Sequence, residues 1–244
     1  MTAGSHRLRF GGVTYVMGVI NVSPESRNPH TVVEGPDDAL DLATRYRRWG
    51  ADLIDVGGQS SHFENPTISS ALEIERVVPV VERLAAAGFV VSIDTWKPDV
   101  AWAAVECGAA LINDTGGMRS GEMQSLVAAT GVGAVAVYVE GENPHAVGEV
   151  TMGSDRTARI VARFGSLLES LPRAVRERLI LDPGIAVNYP GDYSAYTRQQ
   201  LEVVRSSRRL EPLGRPLLIP IPRKRDIHWV TAYITMALEY GADI

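Results

Sequence analysis

Short apolar runs alternate with longer amphipathic stretches along the whole chain. The runs are rich in Val, Ile and Leu and predict strands at residues 13–20, 52–56, 89–93, 110–112, 134–139, 179–181 and 216–221. Between the strands, apolar residues recur with helical period and predict helices at 37–49, 70–87, 97–107, 120–130, 155–171, 194–210 and 228–240. Strands that are apolar throughout and alternate with helices favour a parallel sheet with right-handed crossovers.

Seven strand–helix units and the start of an eighth predict an α/β protein built as a (β/α)8 TIM barrel, a fold of typically ~250 residues. A doubly wound sheet is the weaker alternative, because no Gly-rich fingerprint follows the first strand. No linker or low-complexity tract interrupts residues 1–244, so we expect a single domain. The eighth unit is expected to be incomplete, because only Asp243 and Ile244 stand where a strand of ~5 residues would begin. The sequence alone leaves the closure of the barrel open.

Charge and composition narrow the class of partner. The chain of 244 residues has 24 Lys and Arg against 29 Asp and Glu, a net charge of -5. This balance argues against a nucleic-acid or membrane-surface binder, since both need a positive field. We therefore expect a small-molecule partner. The single Cys107 cannot form an internal disulfide, and residues 1–10 contain no apolar leader segment, so we expect a cytoplasmic protein.

Polar side chains follow five of the apolar runs, and in a barrel they would converge at the catalytic mouth. They are Asn21, Asp55, Asp94, Asn113 with Asp114, and Asp182. Any one of them has an ordinary alternative as a helix cap or turn former. Together they favour a ligand with several N–H donors in one plane, such as a 2-amino-4-oxo-pyrimidine edge. The run 223–225 (RKR) is either a solvated charge run or a source of donors for a ligand carbonyl or phosphate.

Six segments carry a family resemblance. They are residues 17–26 (MGVINVSPES), 50–60 (GADLIDVGGQS), 92–97 (SIDTWK), 112–114 (IND), 181–184 (LDPG) and 223–225 (RKR). In this order and spacing they resemble the successive motifs of dihydropteroate synthase along nearly the whole chain. The combination is far more specific than any single motif.

The resemblance implies a TIM barrel that joins 6-hydroxymethyl-7,8-dihydropterin pyrophosphate to p-aminobenzoate, as a transferase of folate biosynthesis, and releases pyrophosphate. Carried over by position, it implies that the pterin ring is bound by Asp94, Asn113, Asp182 and Lys224, with Asp55 nearby. It further implies that Arg223 and Lys224 serve the reaction and that Asn21 contacts Mg²⁺ and the pyrophosphate. Because the family commonly dimerises through its last helices, we also expect a homodimer.

Several positions depart from the family pattern on the side of the pyrophosphate and the second substrate. Ser61 and His62 stand where the family usually has Thr and Arg, and a neutral imidazole is a poor replacement for a bidentate cation. Pro222 replaces a serine, the connection between Lys224 and the last helix is shortened, and the family's Arg-x-His motif of the eighth strand is missing. We therefore expect a synthase-like transferase that uses an arylamine such as p-aminobenzoate, and the departures leave an altered second substrate open. Two alternatives stay open: a non-catalytic pterin- or partner-binding paralogue, and a secondary-metabolism enzyme that uses the pocket for another heterocycle.

Overall fold

The computed structural model describes residues 1–3, 6–148, 155–222 and 226–244. Two short strands, β1 (Thr2–Ala3) and β2 (His6–Arg7), form an antiparallel pair at the start of the chain. Six longer strands form one parallel sheet in sequence order. They are β3 (Met17–Asn21), β4 (Leu53–Gly57), β5 (Val90–Asp94), β6 (Leu111–Asp114), β7 (Gly133–Val137) and β8 (Leu179–Asp182).

Helices follow the strands and cover the outer face of the sheet. They are α1 (Pro36–Arg48), α2 (Ser70–Ala86), α3 (Pro98–Glu106), α4 (Gly121–Thr130), α5 (Arg156–Ser170), the single turn α6 (Arg173–Arg176), α7 (Tyr193–Arg205) and α8 (Ile227–Glu239). Local sequence sets where they begin. Pro36 and Pro98 occupy first helical positions, where a missing N–H costs nothing, and the hydroxyls of Ser69 and Ser120 accept from the backbone N–H groups of Leu72 and Met123.

The barrel closes through residues 216–219 and 243–244. On one side, Leu218 N donates to the Leu181 carbonyl at 2.9 Å. On the other side, Asp243 N donates to the Leu217 carbonyl at 2.8 Å, and Tyr15 N donates to the Asp243 carbonyl at 2.9 Å, next to β3. Backbone hydrogen bonds therefore run around the whole ring, and Asp243 and Ile244 occupy the eighth position.

Period-two alternation separates the two faces of the strands. Residues that point outward, such as Ile54 and Val91, pack under the helices in the larger apolar core. Residues that point inward form a second, smaller core that includes Leu53, Leu111 and Ile180. Leu8 and the partly buried Phe10 close this inner core from the N-terminal segment. The inward-facing side chains are therefore apolar at the beginning of the strands and polar toward their carboxyl ends.

All the predicted elements except the seventh strand are confirmed, with shifted boundaries. The first strand begins at Met17 and not at residue 13, while the predicted helix 194–210 becomes α7 followed by a 3-10 helix, Ser207–Leu213. The seventh predicted strand, 216–221, is reduced to a single bridge between Leu181 and Leu217. Among the described residues, no helix is long and apolar enough to span a bilayer.

Candidate active site

The register of the sheet brings four predicted polar positions to one end of the barrel. Asn21 pairs with Gly57, Gly57 with Asp94, and Asp94 with Asn113, so these residues are neighbours at one level of successive strands. Asp182, at the end of β8, pairs with Val137. The strands continue through these residues and do not stop before them. Their side chains are therefore held by paired backbone.

Asp55 and Asn113 form the deepest polar contact of the site. Asn113 Nδ2 donates to Asp55 Oδ2 at 3.0 Å. The second oxygen of Asp55 and the amide oxygen of Asn113 are both buried, and neither has a hydrogen-bond partner in the protein. Burial raises the pKa of the Asp55 carboxyl, and the neighbouring side chains of Ser92 and then Asn113 partly oppose that shift. Buried acceptors without donors are costly, so this pair is suited to a ligand that supplies N–H groups.

Asp94 and Asp182 share this environment. Burial, followed by the charge of Asp55, raises the pKa of Asp94 well above its ordinary value. Burial is also the main reason that the pKa of Asp182 rises to about 7, with the charge of Asp55 adding to it and the backbone N–H of Gly184 opposing it. Closely spaced carboxyls in a dry interior disfavour simultaneous ionisation. A ligand edge that donates to them would stabilise their ionised forms.

Asp114 follows Asn113 directly in the sequence but has a different, structural role. Its carboxylate accepts from the backbone N–H of Gly116 at 2.7 Å and of Met118 at 2.8 Å, which closes the turn after β6. Burial raises its pKa to about 6 against these two hydrogen bonds. Asp114 is therefore the turn former that a strand-end carboxylate often is, while Asn113 belongs to the barrel interior.

An open cavity of about 950 Å³ lies over this end of the barrel. Asn21 and Asp94 border it from the strands, so Asp94 joins the cavity to the buried carboxyl cluster. Two loops form the opposing walls. The first follows β4 and contributes residues 59–64, including the predicted Ser61 and His62; the second follows β8 and contributes Tyr189 and its neighbours.

His62 takes the place of a cation on the first of these walls. Its ring stacks on Phe63 with 4.7 Å between ring centroids. Burial and then the charge of Arg27 lower the pKa of the His62 imidazole, so neutral pH favours its uncharged form. Arg27, which also lines the cavity, forms an ion pair with Glu64. The described part of this wall therefore presents little unpaired positive charge.

Asn21 fits the metal-binding role that the family resemblance implies. Its Nδ2 donates to Thr31 Oγ1 at 2.6 Å, which fixes the amide. A Cβ built on Gly57 would lie 3.2 Å from Asn21 Oδ1 and 3.7 Å from Asp94 Oδ2, so the glycine opens a space between the two oxygens. No cluster of three His, Cys, Asp or Glu suited to a metal occurs within the described ranges. One amide oxygen beside substrate phosphates is a donor set that Mg²⁺ accepts, because it keeps several waters.

The predicted cations Arg223 and Lys224 lie outside the described residues. Sequence reasoning overlooked three positions that the structure brings to the site: Ser92, Tyr189 and Tyr196. Ser92 pairs with Asp55 across the strands, and its buried hydroxyl lies beside the Asp55 carboxyl, whose pKa it helps to lower. The alternation of inward positions 92 and 94 in β5 was a usable signal for Ser92. The tyrosines gave no such signal, because Tyr189 lies in a loop without a periodic pattern and Tyr196 lies in helix α7, where an aromatic residue is ordinarily read as a packing residue.

Comparison with known proteins agrees with this geometry. A family profile described as pterin binding enzyme matches residues 17–241. The dihydropteroate synthase of Mycobacterium leprae is 35% identical over 86% of this chain and 73% of that protein. Among solved structures, Burkholderia cenocepacia dihydropteroate synthase complexed with 7,8-dihydropteroate superposes with a TM-score of 0.83 at 29% identity, over 100% of this chain and 89% of that one. The Xanthomonas albilineans synthase with 4-aminobenzoic acid gives a TM-score of 0.79 at 27% identity, over 95% and 86%.

Proposed function

Since the chain belongs to the dihydropteroate synthase family of pterin-binding enzymes, we propose that it condenses a 6-hydroxymethyl-dihydropterin pyrophosphate with an arylamine such as p-aminobenzoate. The observation that carries the proposal is the buried acceptor set of Asp55 and Asn113, which lies with Asp182 inside the barrel and which Asp94 joins to the cavity. It matches the N–H donors of a pterin ring. Among the solved relatives, one synthase is complexed with 7,8-dihydropteroate, which contains a pterin ring, and another with 4-aminobenzoic acid, an arylamine.

In the proposed reaction the amine nitrogen attacks the pterin methylene carbon. A C–N bond forms, the C–O bond to the pyrophosphate breaks with its electron pair on the leaving oxygen, and the amine releases one proton. No covalent enzyme intermediate is needed. The barrel residues fix the ring so that the methylene carbon faces the cavity, and this positioning is a large part of the catalytic effect.

Charge on the leaving pyrophosphate has to be stabilised. Mg²⁺ would supply part of that stabilisation when bound, and Asn21 Oδ1 is the residue atom we assign to it. We assign further cationic contacts to Arg223 and Lys224, with Lys224 also donating to the pterin. Ser61 and His62 are assigned to the pyrophosphate and second-substrate side, since both line the cavity that Asp94 borders.

A second candidate function is pterin binding without efficient turnover, or with another acceptor. The neutral state that its surroundings favour for His62 supports this candidate, because the family's arginine would carry a fixed charge at that position. Losing one charge-assisted contact of ~1.5–3 kcal/mol slows pyrophosphate departure by roughly 10- to 100-fold.

The deciding experiment mixes the protein with 6-hydroxymethyl-7,8-dihydropterin pyrophosphate, Mg²⁺ and p-aminobenzoate. Pyrophosphate release and the products are followed together, the latter by mass spectrometry. Dihydropteroate that disappears in Asp94→Asn but persists in Asp114→Asn establishes the synthase. Bound pterin with no product favours the second candidate, and a screen of other arylamines then identifies the acceptor.

Assembly and location are part of the proposal. Helix α8 exposes several apolar side chains, with Ile227 67% and Leu238 54% exposed, which suits a homodimer interface. Analytical ultracentrifugation of wild type and Leu238→Glu would test it: a dimer that dissociates in the variant is the expected result. We place the protein in the cytoplasm, where the single Cys107 would stay reduced.

A further inference from the structure

His145 lies after β7, in a turn within residues 138–148 that holds it in place. Gly141 and Val147 pair across the loop as an antiparallel bridge. A Cβ on Gly141 would collide with the Ala146 backbone, so this close approach requires glycine. The side chain of Asn143 accepts from the backbone N–H of His145 at 2.9 Å and of Ala146 at 3.0 Å. The loop therefore presents His145 from a fixed backbone.

The imidazole of His145 reaches across the barrel mouth to the loop that follows β4, residues 58–69. Its Nε2 lies 2.7 Å from the Ser60 carbonyl oxygen, and its Nδ1 lies 3.1 Å from Thr67 Oγ1. Because a carbonyl oxygen only accepts, Nε2 must carry the hydrogen, and in the neutral ring Nδ1 then accepts from the Thr67 hydroxyl. Trp96 packs on the ring at 5.2 Å between centroids.

A second set of contacts, made by Gln59 and Lys97, also fixes the loop of residues 58–69. Gln59 Oε1 accepts from the backbone N–H of Ile68 at 3.2 Å and from Lys97 Nζ at 2.6 Å. Lys97 also donates to the Ile68 carbonyl at 2.7 Å and to Glu73 Oε2 at 2.7 Å. The two ends of the loop are thus tied to each other and to helix α2 and the residues after β5.

Between these anchors lie residues 61–64, all of which line the cavity. His145 is not among the residues that line it; the imidazole contacts the two flanks of the segment, at Gln59 and Ser60 on one side and at Thr67 on the other. We propose that His145 is a positioning residue that holds the second-substrate wall, residues 61–64, in the conformation that accepts the arylamine. The pterin-binding side chains sit on paired strands and do not depend on this contact. The identity of the acceptor rests on the proposed function, whereas the positioning of residues 61–64 by His145 does not.

Three variants test the role of the imidazole. His145→Ala removes both contacts, His145→Gln keeps an amide N–H that can reach the Ser60 carbonyl, and Thr67→Val removes only the Nδ1 partner. We expect His145→Ala to raise the KM for p-aminobenzoate on the order of tenfold, since a buried carbonyl loses its donor. His145→Gln should recover most of this loss, and the KM for the pterin substrate should stay within about twofold throughout.

Hydrogen exchange of the backbone amides separates failure of this inference from failure of the proposed function. In His145→Ala, amides of residues 59–68 should exchange faster than in wild type, while those of β4 and β5 should not change. One outcome would separate the two proposals: the wild type makes no dihydropteroate, while His145→Ala shows this local change and binds 6-hydroxymethylpterin as tightly as wild type. The positioning role of His145 would then be supported, and the synthase proposal would fail. Unchanged exchange in residues 59–68, or equal rises in both KM values, would overturn the positioning role.

Discussion

The amide of Asn113 donates to Asp55 across 3.0 Å and thereby fixes the orientation of the amide group. With Nδ2 engaged, the amide oxygen is left as an acceptor beside the second oxygen of Asp55, and both are buried without protein donors. A pair of adjacent acceptors discriminates strongly against ligands that lack N–H groups, because each unmet acceptor keeps its desolvation cost.

Asn113→Ala is expected to weaken the binding of 6-hydroxymethylpterin by roughly 10- to 100-fold, since a ligand donor and Asp55 both lose a partner. Isothermal titration calorimetry measures the effect. Asp114→Asn is the matched control, because Asp114 serves the turn 114–118. We expect that variant to be less stable but to bind pterin within about twofold of wild type. Equal losses in both variants would contradict the assignment of Asn113 to the ligand.

The affinity for pterin should rise with pH up to about 7. Burial raises the pKa of Asp182 to about 7, so its carboxyl is protonated below that pH. Pterin N–H groups prefer the ionised acceptor, so binding below pH 7 must release a proton, and affinity falls up to about tenfold per pH unit as pH drops. Titrations from pH 5.5 to 8.5 measure the slope.

Asp182→Asn serves as the control for that slope. The variant has no carboxyl to ionise, and its amide oxygen can still accept from Gly184 N, which lies 2.7 Å from Asp182 Oδ1. Its pterin affinity should be lower at pH 8. Its binding should release about one proton fewer, so its affinity should depend less steeply on pH. A slope identical to that of wild type would assign the titration to another group, with Asp94 the next to be replaced.

Lys97→Met is expected to destabilise the fold by about 3–5 kcal/mol, because it leaves the carboxylate of Glu73 unpaired in the interior. The Glu73 side chain is 1% exposed and lies 2.7 Å from Lys97 Nζ. The control is Arg83→Met, which breaks the exposed pair with Asp37 and should cost less than about 1 kcal/mol. Urea denaturation measures both. If the double variant with Glu73→Gln gained nothing over Lys97→Met, the unpaired charge would not be the cause.

His62→Arg should strengthen binding of the pterin pyrophosphate by roughly tenfold at pH 7.5. The reason is that a fixed, bidentate cation replaces an imidazole whose pKa is lowered by burial and by Arg27. The affinity for 6-hydroxymethylpterin, which has no phosphate, should not change, and this comparison is the internal control. Equal gains for both ligands would place residue 62 against the ring and not the pyrophosphate.

The alternation of apolar runs and amphipathic stretches was sufficient to predict a parallel sheet with covering helices, because both faces of its strands must be buried, and the number of units favoured the barrel. The inner polar set was predictable for the same reason, since the first polar residue after each run lies at one end of the sheet. The seventh predicted strand was wrong in extent: only Leu217 bridges to β8.

Sequence by itself determined the family, the order of the elements and which strands carry carboxyl and amide groups into the barrel, because these follow from local periodicity and from motifs in linear order. Only the tertiary structure decided how these groups face one another. The Asn113 contact with Asp55 spans 58 residues, and the His145 contact with Ser60 spans 85. The backbone hydrogen bonds by which Asp243 closes the ring between Leu217 and Tyr15 could not be predicted from the sequence either. Such contacts depend on strand register and loop packing, which no local pattern encodes.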